Sequence, residues 1–136
     1  MMLSSLVFVS SALYEFEQHV VSQYPNEACG FFSGRADKAD MYWPIENILS
    51  DSERFVMDGA SVVRTTFAIL GRGEEIVAAA HSQPLTTSIS NEDIIGHQYY
   101  QHAYMLIATM GNPPLCLQLY KHHSEGYKLT FFTVSN

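Results

Sequence analysis

Positive charge is scarce in this chain: seven lysines and arginines stand against fourteen aspartates and glutamates, a net charge of -7 over 136 residues. Without a cluster of cations there is no electrostatic footprint for a phosphate backbone, so nucleic acid is a poor partner. An anionic membrane surface is disfavoured for the same reason. Cysteine is scarce too. Cys29 and Cys116 lie far apart in apolar runs, ACGFF and PLCLQL, and read as two buried, reduced thiols rather than a disulfide or metal clip. Long hydrophobic stretches are missing. The amino-terminal MMLSSLVFVSSALYEF has no basic start and is too short and polar for a secretory leader or a membrane span. The expected compartment is therefore the cytoplasm. No repeat, linker or low-complexity segment divides the chain, so a single domain over residues 1–136 is expected.

What is there suits a folded core: 47% of residues are apolar and 15% charged. Leu6 to Val9 reads as a first strand. A helix capped by Ser10 or Ser11 follows, because Leu13, Phe16, Val20 and Val21 recur at helical spacing until Pro25. Glu27 to Ser33, Asp40 to Ile48 and Arg54 to Met57 read as strands, and Asp58 as the N-cap of a helix through Leu70. The apolar run from Glu75 to Ser82 reads as a central strand that delivers His81 at its end. Ser90 opens a helix to about His102, and strands at Tyr104 to Thr109, Leu115 to Lys121 and Tyr127 to Val134 complete the chain. Helices interleaved with strands that return mostly as hairpins predict an α/β (mixed α+β) fold, a single mixed sheet with helices packed on it.

Two segments carry chemistry. In the first, His81-Ser82-Gln83-Pro84 leads through a loop to Ser90-Asn91-Glu92-Asp93, which brings an imidazole and a carboxylate to neighbouring element ends. The same Ser90 and Asp93 also read as a helix cap with an acid in the first turn. In the second, Glu27 sits in an otherwise apolar strand. A carboxylate there faces water, meets a partner, or is kept for proton transfer.

In order, an E-x-C-G strand, the segment Pro44-Ile45-Glu46-Asn47, the Arg54-Phe55-Val56-Met57-Asp58 helix entry and the H-S-x-P…S-x-x-D block resemble the JAMM/MPN metalloprotease family over residues 4–134. The resemblance implies a curved mixed sheet with helices against it, the cytidine-deaminase-like architecture. It also implies a peptidase or isopeptidase acting at the C-terminal tail of a ubiquitin-like or sulfur-carrier protein. Carried over by motif, Glu27 resembles the general base that takes a proton from a zinc-bound water. His81 and Asp93 resemble two of three zinc ligands, and Ser90 the hydroxyl that steadies the oxyanion.

The chain departs from the family twice. Gln83 stands where the family has its second histidine, and a neutral amide oxygen is a weak zinc donor. Between Pro84 and Ser90 lie five residues, one fewer than the family's usual spacing. His97, four residues beyond Asp93, shares its helical face and is a substitute ligand, although an exposed helical histidine is the blander reading. His102, His122 and His123 read as surface residues, and Trp43 as packed in the sheet. Two functions follow, an enzyme with an impaired zinc site and an inactive binding or assembly module. Only ten residues separate Asp93 from Tyr104, which leaves no room there for a large substrate-gripping insertion. Monomer and homodimer are both compatible with the pattern.

Overall fold

The computed structural model describes residues 5–136; residues 1–4, part of the segment read above as neither leader nor span, lie outside it. Among the described residues, nine strands and three helices follow one another as β1 (Leu6–Val9), α1 (Ser10–Gln23), β2 (Cys29–Gly34), β3 (Lys38–Ala39), β4 (Met41–Ile45), α2 (Gly59–Gly71), β5 (Glu75–Gln83), α3 (Asn91–His97), β6 (Tyr104–Thr109), β7 (Leu117–His123), β8 (Gly126–Thr130) and β9 (Phe132–Ser135). A short 3-10 turn, Gln98–Tyr100, extends α3. None of the helices among the described residues is long and apolar enough to cross a membrane.

The strands form two sheets where one was expected. Six of them make a mixed sheet in the order β4-β2-β5-β6-β7-β8, and β3-β1-β9 make a small one. The run from Tyr127 to Val134, read as one strand, is therefore two: Phe131 is the step at which the chain leaves β7 and joins β1 in parallel. Side-chain alternation gives the six-stranded sheet two apolar faces. Phe32, Ala78, Ala80, Leu106 and Leu119 pack under α1 and the small sheet with Phe8 and Phe16. Cys29, Phe31, Ile45 and Ile69 pack on the opposite face with half-buried Trp43, Phe55 and Val62, and Met105, Ile107 and Tyr120 continue that face.

Local chemistry explains most boundaries. Asp58 caps α2 by accepting from Ser61 N. The cap of α1 is Val9, with no side-chain bond, in place of the expected serines. The helix expected from Ser90 to His102 is shorter, ending at His97. The segment 54–57 is extended but pairs only through the Asn47–Met57 bridge, not as a strand. Cys116 is exposed, contrary to the buried reading, whereas Cys29 is buried and burial pushes its thiol up to about 12.

Candidate functional site

The site is built where β5 ends. His81 is opposite Cys29 of antiparallel β2 and beside Ile107 of parallel β6. The next residue, Ser82, locks β5 to the start of β2: its Oγ accepts from Ala28 N at 2.9 Å and its N–H donates to Ala28 O at 3.0 Å. Glu27 is thereby held next to the end of β5, with its N–H on Asp51 O and its carbonyl accepting from Asn47 Nδ2 at 3.1 Å. The Glu27 residue is 3% exposed. Burial, then the charges of Asp93, Asp51, Glu92 and Glu53, push its carboxyl up to about 8.

Two parallel strands, β5 and β6, need a crossover, and α3 provides it. Its first turn is a capping box: Asp93 N donates to Ser90 Oγ at 3.1 Å and Ser90 N donates to Asp93 Oδ2 at 2.9 Å. The capping reading of this segment and the functional one therefore share the same side chains. The cap leaves Asp93 Oδ1 free to face the strand end, 3.0 Å from His81 Nε2. That nitrogen is buried and is left without a hydrogen-bond partner of acceptable geometry. Burial opposes the Asp93 charge, but His81 and the bonding from Ser90 outweigh it and hold its carboxyl below the usual range. Phe55 stacks on the His81 ring with centroids 4.7 Å apart.

Beyond this pair the donor set runs out. Gln83 Nε2 donates to Thr86 O at 2.6 Å and Ser88 O at 2.8 Å, so its amide staples the loop that follows β5. His97 is buried, not exposed as the bland reading had it, and its Nε2 is taken by Ala103 O at 3.0 Å. Among the described residues no group of three or more His, Cys, Asp or Glu side chains is placed to hold a metal ion. An orphaned imidazole nitrogen beside a carboxylate oxygen supplies two donors, and a catalytic zinc needs three from the protein plus an open position. The residues present do not fit that site.

The same groups open onto a groove of about 890 Å³, lined by Glu27, His81 and Asp93 and walled by residues 53–57 and the loop 83–89. Sequence reasoning did not foresee the role of Asn47. Its Nδ2 bonds Glu27 O and Arg54 O, and its Oδ1 accepts from Leu49 N and Val56 N. One side chain thus ties Glu27 to the groove wall. Its place in the Pro44-Ile45-Glu46-Asn47 motif was the available signal. Of the remaining histidines, His102 and His123 are exposed and His122 is half-buried.

A family profile described as prokaryotic homologs of the JAB domain matches residues 10–120. A search of curated proteins finds none that matches. The fold is similar to the solution structure of a protein from Desulfitobacterium hafniense, with a TM-score of 0.83 and 21% identity over 96% of this chain and 93% of that one. It is similar to a JAB1/MPN domain protein from Archaeoglobus fulgidus, with a TM-score of 0.67 and 18% identity over 98% of this chain and all of that one. A third structure, described as JAMM, a metalloprotease-like zinc site in the proteasome and signalosome, has a TM-score of 0.64 at 13% identity over 98% of this chain and 100% of its own. Identities this low establish shared fold alone, but the profile spans most of the sequence: this chain belongs to the JAB/MPN family as one of its prokaryotic homologs.

Proposed function

We propose that this chain is a tail-binding member of the JAB/MPN family in which zinc-dependent hydrolysis is impaired: its groove takes the flexible C-terminal tail of a ubiquitin-like or sulfur-carrier protein as an extended segment. One observation carries the reading. The residue at the second ligand position, Gln83, offers a metal only a neutral amide oxygen, a weak zinc donor, while its Nε2 is held by two carbonyls of its own loop, and among the described residues no third His, Cys, Asp or Glu joins His81 and Asp93 in a metal-holding group. The groove itself is intact, and its wall supports strand-like recognition. In the segment 54–57, Val56 O accepts from Ile48 N and Val56 N donates to Asn47, so by alternation the backbone of Phe55 and Met57 faces away from that neighbour. An added strand is a common way to hold an extended peptide on such an edge.

A second reading, a working metallopeptidase, is favoured by the convergence of His81 Nε2 and Asp93 Oδ1 beside Glu27, a carboxyl poised to hold a proton. Elemental analysis of the zinc-equilibrated protein separates the two, run with Gln83→His and Asp93→Ala in parallel. The expected result is far below one zinc per chain in the natural sequence, a gain in Gln83→His, and a peptide ending in Gly-Gly-amide that still binds the natural chain. Near one zinc per chain, lost in Asp93→Ala, would overturn the impaired-site reading and point to peptide hydrolysis.

A further inference from the structure

Helix α2 carries more apolar surface than the fold consumes. Of its 13 residues only Ile69 is fully buried, packing on the sheet with half-buried Val62, Trp43 and Phe55. A helix that rests on a core by one stripe ordinarily shows water a polar back. Here the back is Val63, Phe67 and Leu70, which are 55%, 70% and 60% exposed. Positions i, i+4 and i+7 fall within about 60° of arc at the helical repeat, so the three side chains form one ridge. Ala60, Ala68 and Gly71 beside it are exposed as well. The ridge is open among the described residues.

Charge decides what fits it. The helix, GASVVRTTFAILG, has no acid and a single cation, Arg64, whose Nη2 turns back to Ser61 Oγ at 3.2 Å. A strongly basic or acidic partner finds no opposite charge on the ridge, so complementarity favours an equally uncharged counterpart. The same ridge on a second copy is such a surface. Two chains of charge -7 repel each other over most approaches. A twofold contact sets a patch against itself, which an acidic chain tolerates only where the patch lacks acids. Antiparallel pairing of α2 with α2 also sets each positive helix start beside the other's negative end. With its flanks the ridge presents roughly 500 Å² per copy, so a pair buries about 1,000 Å², the lower bound for a specific interface.

We propose that α2 is a homodimer interface: two copies of this chain pair in solution through Val63, Phe67 and Leu70, about a twofold axis near Phe67. The contact is small, so the dimer dissociates on dilution. The inference is independent of tail binding and stands or falls without it.

Sedimentation velocity of the whole protein tests it. The natural chain is expected to be monomeric near about 1 µM and mainly dimeric near about 300 µM. Phe67→Glu and Leu70→Glu, each at an exposed position, are expected to weaken association at least about tenfold by setting like charges together. Their thermal midpoints at about 1 µM, where every form is a monomer, should equal that of the natural chain. Phe131→Glu, at a position 64% exposed outside α2, is expected to leave the dimer intact. Added salt should tighten the dimer, because it screens the repulsion between two acidic chains. A monomer at every concentration overturns the proposal, as does a dimer that both α2 variants leave unchanged or that Phe131→Glu weakens equally. Cosedimentation of a monomeric natural chain, but not of Phe67→Glu, with phosphatidylcholine vesicles would give the ridge to a lipid surface and overturn it too.

Discussion

Glu27 is the residue least at ease with its own charge. Its ordinary carboxyl titrates near 4.5, and burial with four acidic neighbours pushes it up to about 8. The native state therefore holds a proton at Glu27 over a range in which the unfolded chain has lost it. Stability at this position is highest below about 4.5 and is lost progressively as pH rises towards 8. Glu27→Gln keeps the shape and removes the charge. In chelator-treated protein it is expected to raise Tm by a few degrees at pH above 8 and by little near pH 5; thermal unfolding followed across that range checks it. An equal effect at both ends would place the cost elsewhere. This residue was legible beforehand because a carboxylate inside an apolar run is conspicuous. Asn47 was not, since three of its four bonds go to residues more than six positions away. Nor was the burial of His97, which depends on Ala103 O folding back over it.

At the scale of elements, boundaries set by local chemistry were readable and those set by partners were not. β1 and β6, with alternating or continuous apolar residues, and the Asp58 cap of α2 match their sequence signals. The division between β8 and β9 does not show in the sequence, because it depends on where the chain meets β1. One glycine illustrates how tightly elements are set against each other. A Cβ at Gly30 of β2 would collide with the Tyr42 hydroxyl and with the Trp43 carbonyl oxygen of adjacent β4. The carbonyl belongs to a paired strand and cannot swing aside as a side-chain end would. Gly30→Ala is thus expected to cost about 2–3 kcal/mol by overpacking, read from denaturant midpoints. A cost near zero would mean that β4 gives way.

Over the whole molecule, the six-stranded sheet couples a packing face to a working face. Phe8 joins the small sheet to the large one through edge contacts with Phe32 at 4.8 Å and Phe132 at 5.3 Å. The single tryptophan, Trp43, lies on the opposite face, its Nε1 donating to Ser33 Oγ at 2.7 Å. If both faces unfold as one unit, Phe8→Ala should destabilise the protein by about 3–5 kcal/mol. Trp43 fluorescence and far-UV circular dichroism should then shift to the same new midpoint. A fluorescence midpoint that stays behind would show the groove face to be independently stable.

The acidity, the helical and strand periods and the order of the family motifs are properties of the chain read locally, and they determined the fold class and the neighbourhood of the site. Which atoms meet there was decided only by tertiary structure. His81 and Asp93 come within 3.0 Å because Ser82 fixes the β5–β2 register and the Ser90 cap occupies Asp93 Oδ2 while leaving Oδ1 to face the strand end. Gln83 faces its own loop because two carbonyls, from Thr86 and Ser88, lie within reach of its amide. Periodicity and capping act over a few residues, so they can be read in order along a sequence. The direction of a side chain depends on partners brought close by the whole fold, and no local pattern records them.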